Sequence, residues 1–197
     1  MCLRSKTLSY LAVAAFTATF SVAVLAQGDP LGAMCNKAAR MAFVTGDVAS
    51  AERACEAAIR EGEKDTPPGE RLAYPLMKLG GLYMMLGMKE PERNNQALAL
   101  FERARVIRET IHGPNDPSVG KLLESMAVIL ASQGRETEGE ALYGRVVKIY
   151  EDSYGMSSLE VARALRGYAT LLQKMKRDEE ASQLIRRADA IFGTGNQ

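Results

Sequence analysis

The chain has 197 residues, with 25 basic against 24 acidic side chains, a single histidine and no tryptophan. A balance this close to neutral supplies no field to gather nucleic acid or an anionic membrane surface, which argues against nucleic acid as a partner. Aromatic residues make up only 6% of the chain while helix-favouring residues are plentiful, so an all-α protein is expected.

In chain order, Arg4 and Lys6 precede an uncharged stretch from Leu8 to Ala26 that ends in Val24-Leu25-Ala26 before Gln27-Gly28-Asp29-Pro30. A basic start, an apolar run and small residues before the junction predict a signal peptide over 1–26, removed after Ala26. The rival is an uncleaved anchor, although Ser9, Thr17, Thr19, Ser21 and six alanines dilute the run. Contact with a membrane is expected only if this segment is retained. The expected mature chain, residues 27–197, is exported to a periplasm or secreted, and nothing later in it is apolar enough to span a bilayer.

The rest divides into helix hairpins. Cys35 to Val44, the break at Gly46-Asp47 and a helix from about Val48 to Ile59 form the first, over about 33–61. Thr66-Pro67-Pro68-Gly69 precludes a continuous helix and predicts an exposed loop over 61–71. A second hairpin is expected over about 72–112, with a break at Lys89 to Asn94, a third over 118–154 and a fourth over 160–192. The tail, 193–197, has neither bulk nor periodicity and is expected to fray.

A shift of 42 residues relates these units: Leu100 falls on Leu142 and Leu184, Phe101 on Tyr143 and Ile185, Arg103 on Arg145 and Arg187, and Ile107 on Ile149 and Ile191. The same shift takes Val119 to Val161, Leu123 to Leu165, Ala127 to Ala169 and Gly113 to Gly155. One hairpin cannot bury its apolar face alone, whereas stacked hairpins share a continuous core, so such a repeat predicts an α-solenoid of about four antiparallel hairpins. Small residues at Ala39, Gly80, Ala127 and Ala169 on first helices, and at Ala51, Gly139 and Ala181 on second helices, mark the expected close crossings.

The run Val119 to Gly134, with Ala141-Leu142-Tyr143, Ile149-Tyr150-Glu151 and the turn Gly113-Pro114-Asn115-Asp116-Pro117-Ser118-Val119, resembles tetratricopeptide repeats of the kinesin-light-chain type. The resemblance covers residues 72–192 well and 35–60 more loosely. It implies a tetratricopeptide-repeat superhelix whose concave groove binds a protein or peptide. Asp116 stands where that family usually has histidine. Glu124-Ser125 and Arg166-Gly167 stand where it often has paired asparagines, so the family's peptide-binding residues do not carry over there.

Counting from the small crossing residues places Asn36, Arg40, Met77, Gly81, Met84, Lys121, Glu124, Val128, Arg163, Arg166 and Thr170 on the concave side. The balance is basic, which suits an acidic or carboxylate-bearing ligand, although a solvated helix face accounts for it as well. No catalytic set and no cofactor are expected, because the sequence has no phosphate loop or nucleophile elbow and His112 is its one histidine. Glu109 and His112 have the spacing of a metal-ligand pair but no second pair to complete a site, so no metal is expected. Met77, Met84, Met85 and Met88 read as core or an adaptable surface before they read as copper(I) ligands.

Once Cys2 leaves with the signal peptide, Cys35 and Cys55 are an even pair in an oxidising compartment. If Ala39 and Ala51 mark the first crossing, facing residues have numbers summing to 90, as 35 and 55 do, so a disulfide is expected between them; two buried thiols are the alternative. Two functions stand side by side: a non-enzymatic binding scaffold acting through its groove, and a structural subunit of an envelope or membrane-associated assembly stacking through its terminal hairpins. Exposed apolar residues on the terminal hairpins would favour the second.

Overall fold

The computed structural model describes residues 29–194; the segment expected to be cleaved and the last three residues lie outside it. Among the described residues there are eight helices and no strand: α1 Pro30–Thr45, α2 Val48–Gly62, α3 Glu70–Leu86, α4 Glu92–His112, α5 Pro117–Ser132, α6 Glu136–Tyr154, α7 Leu159–Lys174 and α8 Asp178–Thr194. They pair as α1/α2, α3/α4, α5/α6 and α7/α8, and each pair packs on the next. The architecture is the expected all-α solenoid of four hairpins.

Local chemistry sets most of the boundaries. Pro30 and Pro117 occupy first turns, where the missing N–H is not needed. Asp47, Asp116 and Ser158 accept hydrogen bonds from the backbone N–H groups of Ser50, Ser118 and Val161 at 3.1, 2.8 and 3.3 Å, satisfying donors that the helix starts leave free. Gly113 and Gly155, 42 residues apart and both at positive φ with extended ψ, release the chain from α4 and α6. Lys176 has a positive φ of 63° where the preceding hairpin has Gly134 at 77°, again 42 residues earlier.

Two expected boundaries move. The loop expected over 61–71 is only 63–69, because α2 runs on to Gly62 and α3 begins at Glu70. The two helices close tightly there: a Cβ on Gly62 would stand 2.9 Å from the Leu72 backbone. At the other end α8 extends to Thr194, two residues past the expected end of the fourth hairpin, and the rest of the expected tail, 195–197, lies outside the described residues.

The crossings are made where the small residues are. Ala51, Ala127, Ala169 and Ala181 are fully buried, a Cβ on Gly139 would stand 3.1 Å from the Ala127 carbonyl, and Gly80 lies under the Phe101 ring. The core is built in clusters that span neighbouring hairpins, thin at the first hairpin, where Cys35, Ala39, Ala42, Ala51 and Cys55 fill it, and bulkier later. The repeated arginines have a separate role. Arg103 meets Glu63 at 2.6 Å, Arg145 meets Glu109 at 2.7 Å and Arg187 meets Glu151, so each second helix is tied to the end of the preceding second helix.

Candidate binding groove

The backbones of successive first helices approach one another, α1 to α3, α3 to α5 and α5 to α7, whereas those of successive second helices stay further apart and are bridged by the long arginine–glutamate pairs. An array that is closer along one row of helices than along the other curves toward that row, so α1, α3, α5 and α7 line the concave side.

Three depressions open between neighbouring first helices. One of about 330 Å³ lies between α1 and α3, bordered by Asn36, Glu70, Arg71 and Tyr74. A second, about 380 Å³, lies between α3 and α5, bordered by Met84, Met88, Asn94 and Val128. The third, about 540 Å³, lies between α5 and α7, bordered by Val128, Ala131, Tyr143, Gly167, Thr170 and Leu171. Val128 belongs to two of them and is 47% exposed, an apolar ridge in the middle of the groove.

The structure therefore brings Asn36, Met84, Val128 and Thr170 to the depressions. Met77 is half-buried and packs on the core, as Met84 and Met85 also do, while Met88 is exposed. Glu124 accepts a hydrogen bond from the Tyr150 hydroxyl at 3.3 Å, and the carboxylate together with burial holds the Tyr150 hydroxyl protonated well above its ordinary range. Arg163 lies 3.5 Å from Glu160 and is open to solvent. Arg166 is engaged: its guanidinium meets Asp189 of α8 at 2.7 Å and stacks over the Phe192 ring at 4.5 Å. Arg40 and Lys121 are exposed, and neither has a carboxylate partner among the described residues. Of the basic residues expected there, Arg40, Lys121 and Arg163 are exposed, and none of them borders these three depressions.

His112 ends α4, and its Nε2 pairs with Glu70 at 2.9 Å across the hairpin. Glu109, its neighbour in sequence spacing, is taken by Arg105 and Arg145 at 2.5 and 2.7 Å. Cys35 and Cys55, both fully buried, face each other with Cα atoms 4.4 Å apart and are placed as a bonded pair.

Sequence reasoning passed over Tyr143, Gly167 and Lys174. Tyr143 is 3% exposed and lies parallel to Tyr168, ring centres 5.8 Å apart, with its hydroxyl beside Gly167. The repeat register held a signal: Phe101 and Ile185, 42 residues to either side, carry no hydroxyl.

With the geometry in place, comparison with known proteins adds a name to part of the chain. Residues 118–192 match the tetratricopeptide repeat family. Those residues are the third and fourth hairpins. No curated protein matches the sequence. Among solved structures, BtubC (BKLC) from P. vanneervenii is 20% identical with a TM-score of 0.73, over 95% of this chain and 74% of that one. A putative kinesin light chain from Podosopora anserina with nearly identical TPR-like repeats is 19% identical with a TM-score of 0.66, over 81% of this chain and 74% of that one. At these identities the likeness concerns the fold, a tetratricopeptide-repeat superhelix across nearly the whole chain.

Proposed function

We propose that this protein is an exported, non-catalytic scaffold that binds a polypeptide partner along the concave face of its solenoid. Tetratricopeptide-repeat folds generally mediate protein–protein interaction. The observation that carries the groove reading is the exposed Val128 ridge between two depressions. Exposed apolar surface set between depressions on the concave side is what a peptide-binding face requires. Export rests on the signal-peptide pattern of 1–26 and fits the facing Cys35 and Cys55, which we take to be joined in the oxidising compartment.

The test is site-specific photo-cross-linking in the native host. A cross-linker at Thr170, in the groove, should yield a defined adduct with one partner, and the protein carrying it should begin at Gln27. The same cross-linker at Lys148, exposed on the second helix α6, should not yield it. An adduct formed equally from Lys148, or a partner-bound chain that retains 1–26, would overturn the corresponding half of the reading.

A second reading has one observation in its favour. Met34, Met41 and Val44, the last 82% exposed, lie along α1, whereas the exposed positions of α8 are largely polar and charged. A solenoid usually caps both ends with polar faces. Assembly through the first hairpin would account for the difference.

A further inference from the structure

The depression between α5 and α7 has a feature that packing does not explain. Each of its other polar side chains already has a partner. Thr170 Oγ1 donates to the Arg166 carbonyl at 3.0 Å, Ser132 Oγ to the Ile129 carbonyl at 2.7 Å, and Lys174 Nζ reaches the Ala131 carbonyl and Glu136. Tyr143 is the exception. Its side chain is almost wholly buried, yet its hydroxyl has no hydrogen-bond partner among the described residues and stands at the wall of the depression beside Gly167. The oxygen itself is not sealed off: unlike Arg108 Nε and Ser118 Oγ, which are buried without a partner, it is reachable through the depression, where water or a bound group can meet it.

The repeat supplies a control within the chain. Phe101 fills the equivalent position of the second hairpin with a ring and no hydroxyl, so the ring alone meets the packing requirement. The opposite wall is cut away to match. A Cβ on Gly167 would stand 2.8 Å from the Tyr143 oxygen, and only glycine leaves that oxygen open to the cavity; the equivalent residue one repeat earlier is Ser125.

We propose that this depression receives one uncharged side chain of the bound polypeptide, apolar along its length and ending in a hydrogen-bond acceptor that takes the Tyr143 O–H. The walls formed by Val128, Ala131 and Leu171 set the apolar requirement. The acceptor is matched to the unused O–H proton of Tyr143; burial, with the nearby Glu124 charge, pushes its pKa up to about 12, which keeps that proton in place well beyond neutral pH. The same Glu124 charge disfavours an anionic tip, and the one ammonium at the rim, Lys174, is held by Glu136. The proposal rests on the groove reading above, and its test is separable from it.

The experiment uses two capped amino acids of equal shape that differ by one oxygen, N-acetyl-O-methyltyrosinamide and N-acetyl-4-ethylphenylalaninamide, titrated against the mature protein with the methyl resonances of Val128 and Leu171 as reporters. Wild type should bind the methoxy probe about fivefold more tightly, the value of one neutral hydrogen bond. Tyr143→Phe should bind both probes equally while melting at nearly the wild-type temperature. N-acetyl-glutamate amide should not shift these methyls. Equal affinities in wild type, a preference that survives Tyr143→Phe, or no saturable shift from either probe would overturn the assignment. Loss of the Thr170 cross-link with the probe preference intact would instead strike the polypeptide as the source of the side chain.

Discussion

Glu109 joins three parts of the chain: Arg105 on its own helix, and Arg145 on the next hairpin, which also donates to the Pro114 carbonyl in the connecting turn at 2.7 Å. Burial alone would raise its pKa; the hydrogen bonds from Arg145 and Arg105 outweigh that and hold it below the ordinary 4.5. A depressed carboxylate stabilises the fold fully above its unfolded pKa and loses that contribution as pH falls through the folded value. Thermal melts of wild type and Glu109→Gln should therefore differ most above pH 5 and converge as pH drops below about 4.5. A gap independent of pH would show that packing, not charge, makes the contact. The sequence showed the repeat of Arg103, Arg145 and Arg187 but not their partners. Two of those partners, Glu109 and Glu151, are themselves 42 apart, whereas Glu63 sits at the irregular end of α2 and breaks the register. Arg166 was legible as a groove-side residue, yet its use was not, because Asp189 and Phe192 come from a neighbouring helix.

At the level of elements, hairpin order and helix type were readable from spacing alone, since apolar positions three and four apart and a constant shift both follow from helix geometry. Ends were less readable. Pro75, the sixth residue of α3, is fully buried inside the helix even though its missing N–H takes the bond to the Arg71 carbonyl out of the ladder. The first hairpin shows why facing pairs were easier to read than ends: antiparallel helices crossing at Ala39 and Ala51 oblige residues of equal offset to meet, and Cys35 and Cys55 do. Protein taken from its native compartment and alkylated without reduction should carry no label on either cysteine. Cys35→Ala should lower unfolding stability by about 3 kcal/mol, the chain-entropy value for a loop of this length. Label on both residues would show two buried thiols instead.

For the molecule as a whole, the curvature of the stack converts four similar hairpins into one continuous surface. The first helices supply a face whose middle is apolar, while the second helices are bridged by arginine–glutamate pairs. The general position of the groove was legible because the crossing residues fix which way each first helix turns. The full lining of its depressions was not, because Tyr143 reaches the one between α5 and α7 from a second helix, beside Gly167. The central claim is that this face holds the partner, and Val128→Glu tests it most directly. An exposed position tolerates a charge with little effect on folding, so the melting temperature should stay near that of wild type. Affinity for the partner identified by cross-linking, measured by titration calorimetry, should fall at least tenfold, whereas Val106→Glu on the second helix α4 should leave it unchanged. Undiminished affinity in Val128→Glu, or equal loss in Val106→Glu, would contradict the account.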